Sequence, residues 1–97
     1  MKINLEDESI EKIKTVLKNH YNIKKVILFG SRAKGNAKIG SDIDIAVIGE
    51  RITFREICRL GSEFDELNLP YKIDIVDYSS IKNQKLKEHI DRVGIVL

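Results

Sequence analysis

The sequence predicts an α/β fold: a small mixed sheet of three to four strands with helices packed on one face. Three observations carry this. Segments with helical spacing alternate with short apolar runs, in the order helix, strand, loop, strand, helix, strand, helix. Gly30 and Gly49 close the first two apolar runs, and the single proline, Pro70, separates the middle helix from the third run. No repeat or linker-like stretch interrupts the pattern, so the 97 residues read as one domain over 1–97.

Each element has its own signal. Over 7–20, Ile10, Ile13 and Leu17 recur three and four residues apart, with Glu11, Lys12, Lys14 and Lys18 on the other side. That is an amphipathic helix, broken by Tyr21 and Asn22. Residues 25–29 form a short apolar run stopped by Gly30 and predict a buried strand. The 30–41 stretch is rich in Gly, Ser, Asn and Lys, and predicts a loop with room for one helical turn. Over 42–48, Asp42, Asp44 and Ala46 alternate with Ile43, Ile45 and Val47, the signature of a second strand. Thr53 and Glu56 match a capping box, each side chain expected to satisfy the other residue's backbone N–H, so a helix starts at Thr53. Phe54, Ile57, Cys58, Gly61, Phe64 and Leu67 continue its apolar side to about Asn68. Residues 71–78 predict a third strand, with Ile73 and Ile75 on one face and Asp74 and Val76 on the other. Ser79 or Ser80 is expected to cap a last helix carrying Ile81, Leu86, Ile90 and Val93. Gly94 ends that helix, and 95–97 form a short terminal strand.

Composition excludes several classes. Hydrophobic residues are 42% and charged residues 33%, a globular balance. A net charge of +2 argues against a dedicated nucleic-acid or anionic-membrane binder. Cys58 is the single cysteine, so neither a disulfide framework nor a multi-cysteine zinc site is available. No run of 18 apolar residues exists to span a membrane. The chain turns acidic by Glu6 and Asp7 and lacks the apolar core of a secretion signal, which points to the cytoplasm. Cys58 is expected in the core, His20 and His89 on the surface, and Tyr21, Tyr71 and Tyr78 at the core edge.

The chemistry concentrates on three aspartates. Asp is a poor strand former, and a carboxylate on a half-buried sheet must be paired, hydrogen-bonded or bound to metal. Asp42 and Asp44 share a face, about 6.5–7 Å apart along the strand. Asp74 sits between apolar residues in the same manner. Neighbouring strands would make the three converge, and clustered like charges raise each other's pKa unless a cation neutralises them. Their oxygens suit Mg²⁺ or Mn²⁺. Upstream, Gly30 and Ser31 follow a buried strand, where exposed N–H groups and the Ser31 hydroxyl suit phosphate oxygens. Ten residues separate Ser31 from Asp42. A phosphate cradle beside a carboxylate-held metal pair is what nucleotidyl transfer requires. A Walker loop is excluded because Asn36 and Ala37 follow Gly35 in place of Lys-Ser/Thr. An EF-hand is excluded because the later ligands and the glycine at position six are missing. Arg32 suits either a triphosphate or a carboxylate that fixes the loop.

At these residues the chain resembles the minimal nucleotidyltransferases of the DNA polymerase beta-type superfamily. Residues 28–35, Leu-Phe-Gly-Ser-Arg-Ala-Lys-Gly, stand where that family has its phosphate loop. Residues 41–45, Ser-Asp-Ile-Asp-Ile, stand at its metal-binding strand, and Asp74 at its third carboxylate. The resemblance implies a palm-like fold, with Gly30 and Ser31 on the nucleotide phosphates and Arg32 a nucleotide-binding candidate beside them. It implies Asp42 and Asp44 on two Mg²⁺ ions, and Asp74 binding the catalytic ion and helping to deprotonate an acceptor hydroxyl. It further implies ATP as substrate and an all-helical HEPN-domain toxin as partner, with AMP moved onto a partner tyrosine by this chain as antitoxin. Larger members carry an extra helical domain for the acceptor, so a homo- or hetero-oligomeric partner is expected to complete the site. Two alternatives stay open: a non-catalytic antitoxin that neutralises its partner by contact, and a subunit that modifies a small molecule.

Overall fold

The computed structural model describes residues 5–38 and 40–97; Ile39, within the expected 30–41 loop, lies outside the described residues. The elements are α1 (Asp7–Lys18), β1 (Ile23–Phe29), the single turn α2 (Ser31–Lys34), β2 (Ile43–Gly49), α3 (Phe54–Asp65), β3 (Ile73–Asp77), a 3₁₀ turn (Tyr78–Ser80), α4 (Gln84–Val93) and β4 (Ile95–Val96). The sheet runs β3-β2-β1-β4. β1 is antiparallel to β2 and β4, whereas β2 and β3 are parallel, so the sheet is mixed, as expected.

Strand alternation sorts the apolar side chains into two layers. On one face, Val26, Leu28, Ile43, Ile45 and Val47 pack with Ile13, Val16 and Leu17 of α1 and with Leu60 and Phe64 of α3. Each fully buried chain of this kind contributes about 1.5–3 kcal/mol. On the opposite face, Phe29 and Ala46 pack with Ile90 of α4, flanked by Val76, Leu86 and Val93. The expectation that all helices lie on one face is therefore corrected. α4 covers the aspartate-bearing face, because Ala46 and Val76 leave apolar surface there beyond Asp44 and Asp74.

Other local expectations shift for physical reasons. Thr53 caps α3, its Oγ1 accepting from the Glu56 N–H at 3.1 Å. The reciprocal arm of the box is absent from the observed bonding, since the Glu56 carboxylate accepts from Asn22 Nδ2 at 2.6 Å and lies 2.7 Å from His20 Nδ1. The buried stripe of α3 is Ile57, Leu60, Phe64 and Leu67. Cys58 lies about 100° round the helix from Ile57 and is exposed. Phe54 is 82% exposed. α4 is capped by Asn83, whose Oδ1 accepts from the Lys85 and Leu86 N–H groups. Ser79 and Ser80 donate instead to the Asp77 carboxylate, which caps the 3₁₀ turn.

Two aromatic residues depart from expectation. Tyr21 is 89% exposed, not at the core edge, whereas Tyr71 and Tyr78 do pack against the two layers. His20 is buried, not superficial, with Nδ1 2.7 Å from Glu56 and Nε2 2.6 Å from Glu63. Burial alone would lower its pKa; the hydrogen bonds and charges of the two glutamates outweigh it and raise the pKa above 6.5.

Candidate active site

Register brings the aspartates together. Asp44 of β2 pairs directly with Asp74 of β3 in the parallel ladder, so both side chains leave the same face. Asp42 precedes β2 by one residue and has Asp44's parity. On the other side of β2, Asp44 pairs with Phe29, the last residue of β1. The chain leaves β1 at Gly30, directly beside the Asp44 carboxylate.

Gly30 is required there twice over. Its φ of 77° and ψ of −158° lie in a region essentially reserved for glycine. A Cβ at this position would collide with Asp44 Oδ2. Ser31 then opens α2, and a helix's first turn leaves its N–H groups without intrahelical acceptors. The turn closes through the Lys34 N–H on the Gly30 carbonyl at 3.1 Å and ends at Gly35 in the left-handed region.

Arg32 points away from this turn toward the start of β2. Its side chain is buried; Nε and Nη2 donate to the Ser41 carbonyl at 3.2 and 2.9 Å. Its guanidinium lies 4.3 Å from the Tyr71 ring centroid, a cation–π stack. The Tyr71 hydroxyl donates to the Glu6 carboxylate at 2.9–3.0 Å. This bond raises the Tyr71 pKa. One chain of contacts thus joins the Gly30–Ser31 turn, the approach to Asp42 and the approach to Asp74. Tyr71 was expected only as a core-edge aromatic and Glu6 was given no site role; nothing in their spacing couples them to the aspartates.

The electrostatics are those of crowded carboxylates. Burial raises the Asp44 pKa, and the neighbouring charges of Asp74 and Asp42 raise it further. Lys72 Nζ stands 3.7 Å from Asp74 Oδ1, an exposed pair of little energetic weight. Among the described residues, no three acidic, histidine or cysteine side chains are gathered closely enough to hold a metal ion as they stand. The donor chemistry nonetheless fits a hard divalent cation: Asp44 and Asp74 share a face, Asp42 lies near enough to act on Asp44 as a charge, and Asp44 carries a charge its surroundings disfavour. The structure brings Gly30, Asp44 and Asp74 side by side, with Ser31 and Asp42 adjoining, and turns Arg32 onto Ser41.

Residues 11–97 match the profile of a family described as "Polymerase beta, Nucleotidyltransferase". The chain belongs to this nucleotidyltransferase family. It is 33% identical over 96 residues to a Haemophilus influenzae protein named as a probable protein adenylyltransferase, MntA, covering 98% of this chain and 83% of that one. It is 37% identical over 87 residues to a Methanocaldococcus jannaschii protein assigned as a protein adenylyltransferase, covering 87% and 86%. Among solved structures, one assigned as a minimal nucleotidyltransferase superposes with a TM-score of 0.73 at 29% identity, covering 96% of this chain and 97% of that one. A chain of a toxin–antitoxin complex with AMP-PNP superposes with a TM-score of 0.76 at 25% identity, covering 89% and 69%. The α/β fold and the transferase class expected from the sequence are borne out. No helix among the described residues is long and apolar enough to cross a membrane.

Proposed function

We propose that this nucleotidyltransferase moves AMP from ATP onto a hydroxyl of a protein partner, a tyrosine of a HEPN-domain toxin, and serves as its antitoxin in the cytoplasm. The observation that carries this reading is the contact of Gly30 with Asp44, with Asp74 in register beside it. It places a turn suited to phosphates against a carboxylate face suited to divalent cations. Similarity over almost the whole chain to MntA, and to a toxin–antitoxin complex holding AMP-PNP, supports the nucleotide and the partner class.

In this reading Gly30 and Ser31 hold the β- and γ-phosphates through backbone N–H groups and the Ser31 hydroxyl. Asp42, Asp44 and Asp74 would hold two Mg²⁺ ions, for which Mn²⁺ could substitute. The bound ions supply neutralisation of the triphosphate charge and acidification of the acceptor hydroxyl. Asp74 takes the proton of that hydroxyl. The acceptor oxygen forms a bond to the α-phosphorus, the bond from that phosphorus to the bridging oxygen breaks, and pyrophosphate leaves. Most of the acceleration comes from alignment and charge placement. Arg32 and Tyr71 keep the turn and the two aspartate strands in step.

The test is to incubate the chain with a HEPN-domain toxin, ATP and Mg²⁺, and to measure the toxin's intact mass. The partner gains one or more AMP units, localised to tyrosine by fragmentation. An unchanged mass together with a stable complex overturns the proposal in favour of neutralisation by contact.

A further inference from the structure

Helix α4 lies across the aspartate-bearing face, and contacts on its two flanks fix its rotation. On one flank, the Asp91 carboxylate accepts from the Tyr78 hydroxyl at 2.8 Å, and Lys87 Nζ lies 5.2 Å from the Tyr78 ring centroid. On the other, the His89 ring meets Phe29 edge to face, with centroids 6.2 Å apart. Between the flanks, Ile90 is buried with Phe29 and Ala46. At about 100° per residue, Lys85 and Arg92 fall within about 60° of His89, on the side away from Lys87 and Asp91.

The two flanks look in opposite directions along the strands. Tyr78 follows the last residue of β3, beyond Val76. Phe29 pairs with Asp44, Asp44 pairs with Asp74, and Gly30 follows Phe29. The flank of Lys85, His89 and Arg92 therefore borders the row that holds both carboxylates and the turn. It extends about 10 Å from Lys85 to Arg92. Both of these end residues are exposed, and neither belongs to an ion pair among the described residues. Glu88 is exposed on the outer surface, about 100° round from His89. Arg32 is buried and occupied by the Ser41 carbonyl and the Tyr71 ring.

We propose that this flank of α4 is a second wall of the nucleotide pocket, where Lys85, His89 and Arg92 donate to oxygens of the triphosphate from the side facing the Gly30–Ser31 turn. The inference rests on the reading of that turn as phosphate-binding, and it adds the cations that Arg32 does not supply. Three carboxylates and an ionised triphosphate outweigh two divalent cations, so further positive charge is favourable there. His89 stands nearest the turn, through Phe29, and an imidazole offers a ring N–H whether neutral or charged. The helix begins beyond β3 and ends at Gly94, which packs against Ile27 of β1. Lys85 therefore lies toward Asp74 and Arg92 toward β1. The donors run from the aspartate pair to the turn, the direction from α- to γ-phosphate in the transfer proposed above.

Fluorescence anisotropy on the full chain tests it, with a labelled non-hydrolysable ATP analogue and Mg²⁺, and inorganic tripolyphosphate as competitor. Lys85→Gln with Arg92→Gln weakens the analogue about tenfold or more, as loss of charged donors does, and weakens tripolyphosphate by the same factor. His89→Phe keeps a ring against Phe29 but removes both ring nitrogens, and weakens both ligands by a smaller factor. Lys87→Gln removes the same charge from the opposite flank and leaves both affinities unchanged. Circular dichroism of all variants matches the native chain, and amide shifts on adding tripolyphosphate with Mg²⁺ fall at residues 30–34 and 85–92. Failure of the native chain to bind either ligand removes the phosphate reading and this inference with it. Native binding that the flank variants leave intact, that Lys87→Gln weakens equally, or that falls for the analogue and not for tripolyphosphate overturns this inference alone. So does weaker binding of an acidic protein partner with nucleotide affinity intact.

Discussion

Gly30 presses its backbone against the carboxylate of Asp44, leaving no room for a methyl group between them. The contact follows from strand register, since Asp44 pairs with Phe29 and the chain turns at the next residue. It fixes the distance between the loop read as phosphate-binding and the strand read as metal-binding.

Gly30→Ala strains that junction twice. The backbone conformation costs a non-glycine residue roughly 1–3 kcal/mol, and the new methyl displaces the Asp44 carboxylate. The variant folds with a lower urea midpoint, and its transfer rate falls more than its stability loss explains. Urea titration and the AMP-transfer assay, run on one preparation, check this.

Asp44→Asn separates chemistry from folding. The ionised Asp44 is disfavoured by burial and then by Asp74 and Asp42. Neutralising it keeps or slightly raises the urea midpoint near pH 7, while transfer falls about a hundredfold or more. A clear drop in midpoint would contradict the strained-carboxylate reading.

Tyr71 is expected to act through Arg32 rather than on substrate. Tyr71→Leu removes the ring beneath the guanidinium, an interaction of about 0.5–2 kcal/mol. It lowers kcat by about tenfold, as small misalignments do. Tyr71→Phe keeps the ring, loses only the Glu6 bond, and stays close to wild type. Steady-state kinetics of the two variants distinguish positioning from general destabilisation.

The His20 cluster gives stability a pH signature. The His20 pKa is raised above 6.5, so its contribution is fully present below that pH and is lost as pH rises through the folded-state value. The Glu56 pKa is lowered below 4.5, first by the Asn22 hydrogen bond and then by His20. Its contribution is present above pH 4.5 and is lost as pH falls through the lowered value. Urea midpoints therefore decline on the alkaline side of pH 6.5, and His20→Gln abolishes that decline.

What sequence reveals here is whatever a local rule dictates. Alternation along 42–48 placed Asp42 and Asp44 opposite Ile43 and Ile45, and a glycine after an apolar run marked the turn at Gly30. Thr53 declared its cap because the rule spans three residues. His20 escaped because its burial depends on Glu56 and Glu63, which are 36 and 43 residues away in sequence. The stripe of α4 announced an amphipathic helix, but not which sheet face it would cover. Ser79 and Ser80 satisfied the composition of a cap, and Asp77 drew their hydroxyls first. Arg32 carried a charge suited to two roles, and only the positions of Ser41 and Tyr71 show where its side chain lies.

The proposed transfer requires a divalent cation and a triphosphate to bind together beside Gly30 and the three aspartates. Calorimetric titration of the chain with a non-hydrolysable ATP analogue, with and without Mg²⁺, tests it most directly. Saturable binding that requires Mg²⁺ and is lost in Asp44→Asn is the expected result. Equal binding in the presence of a chelator, or unchanged binding in that variant, would contradict it.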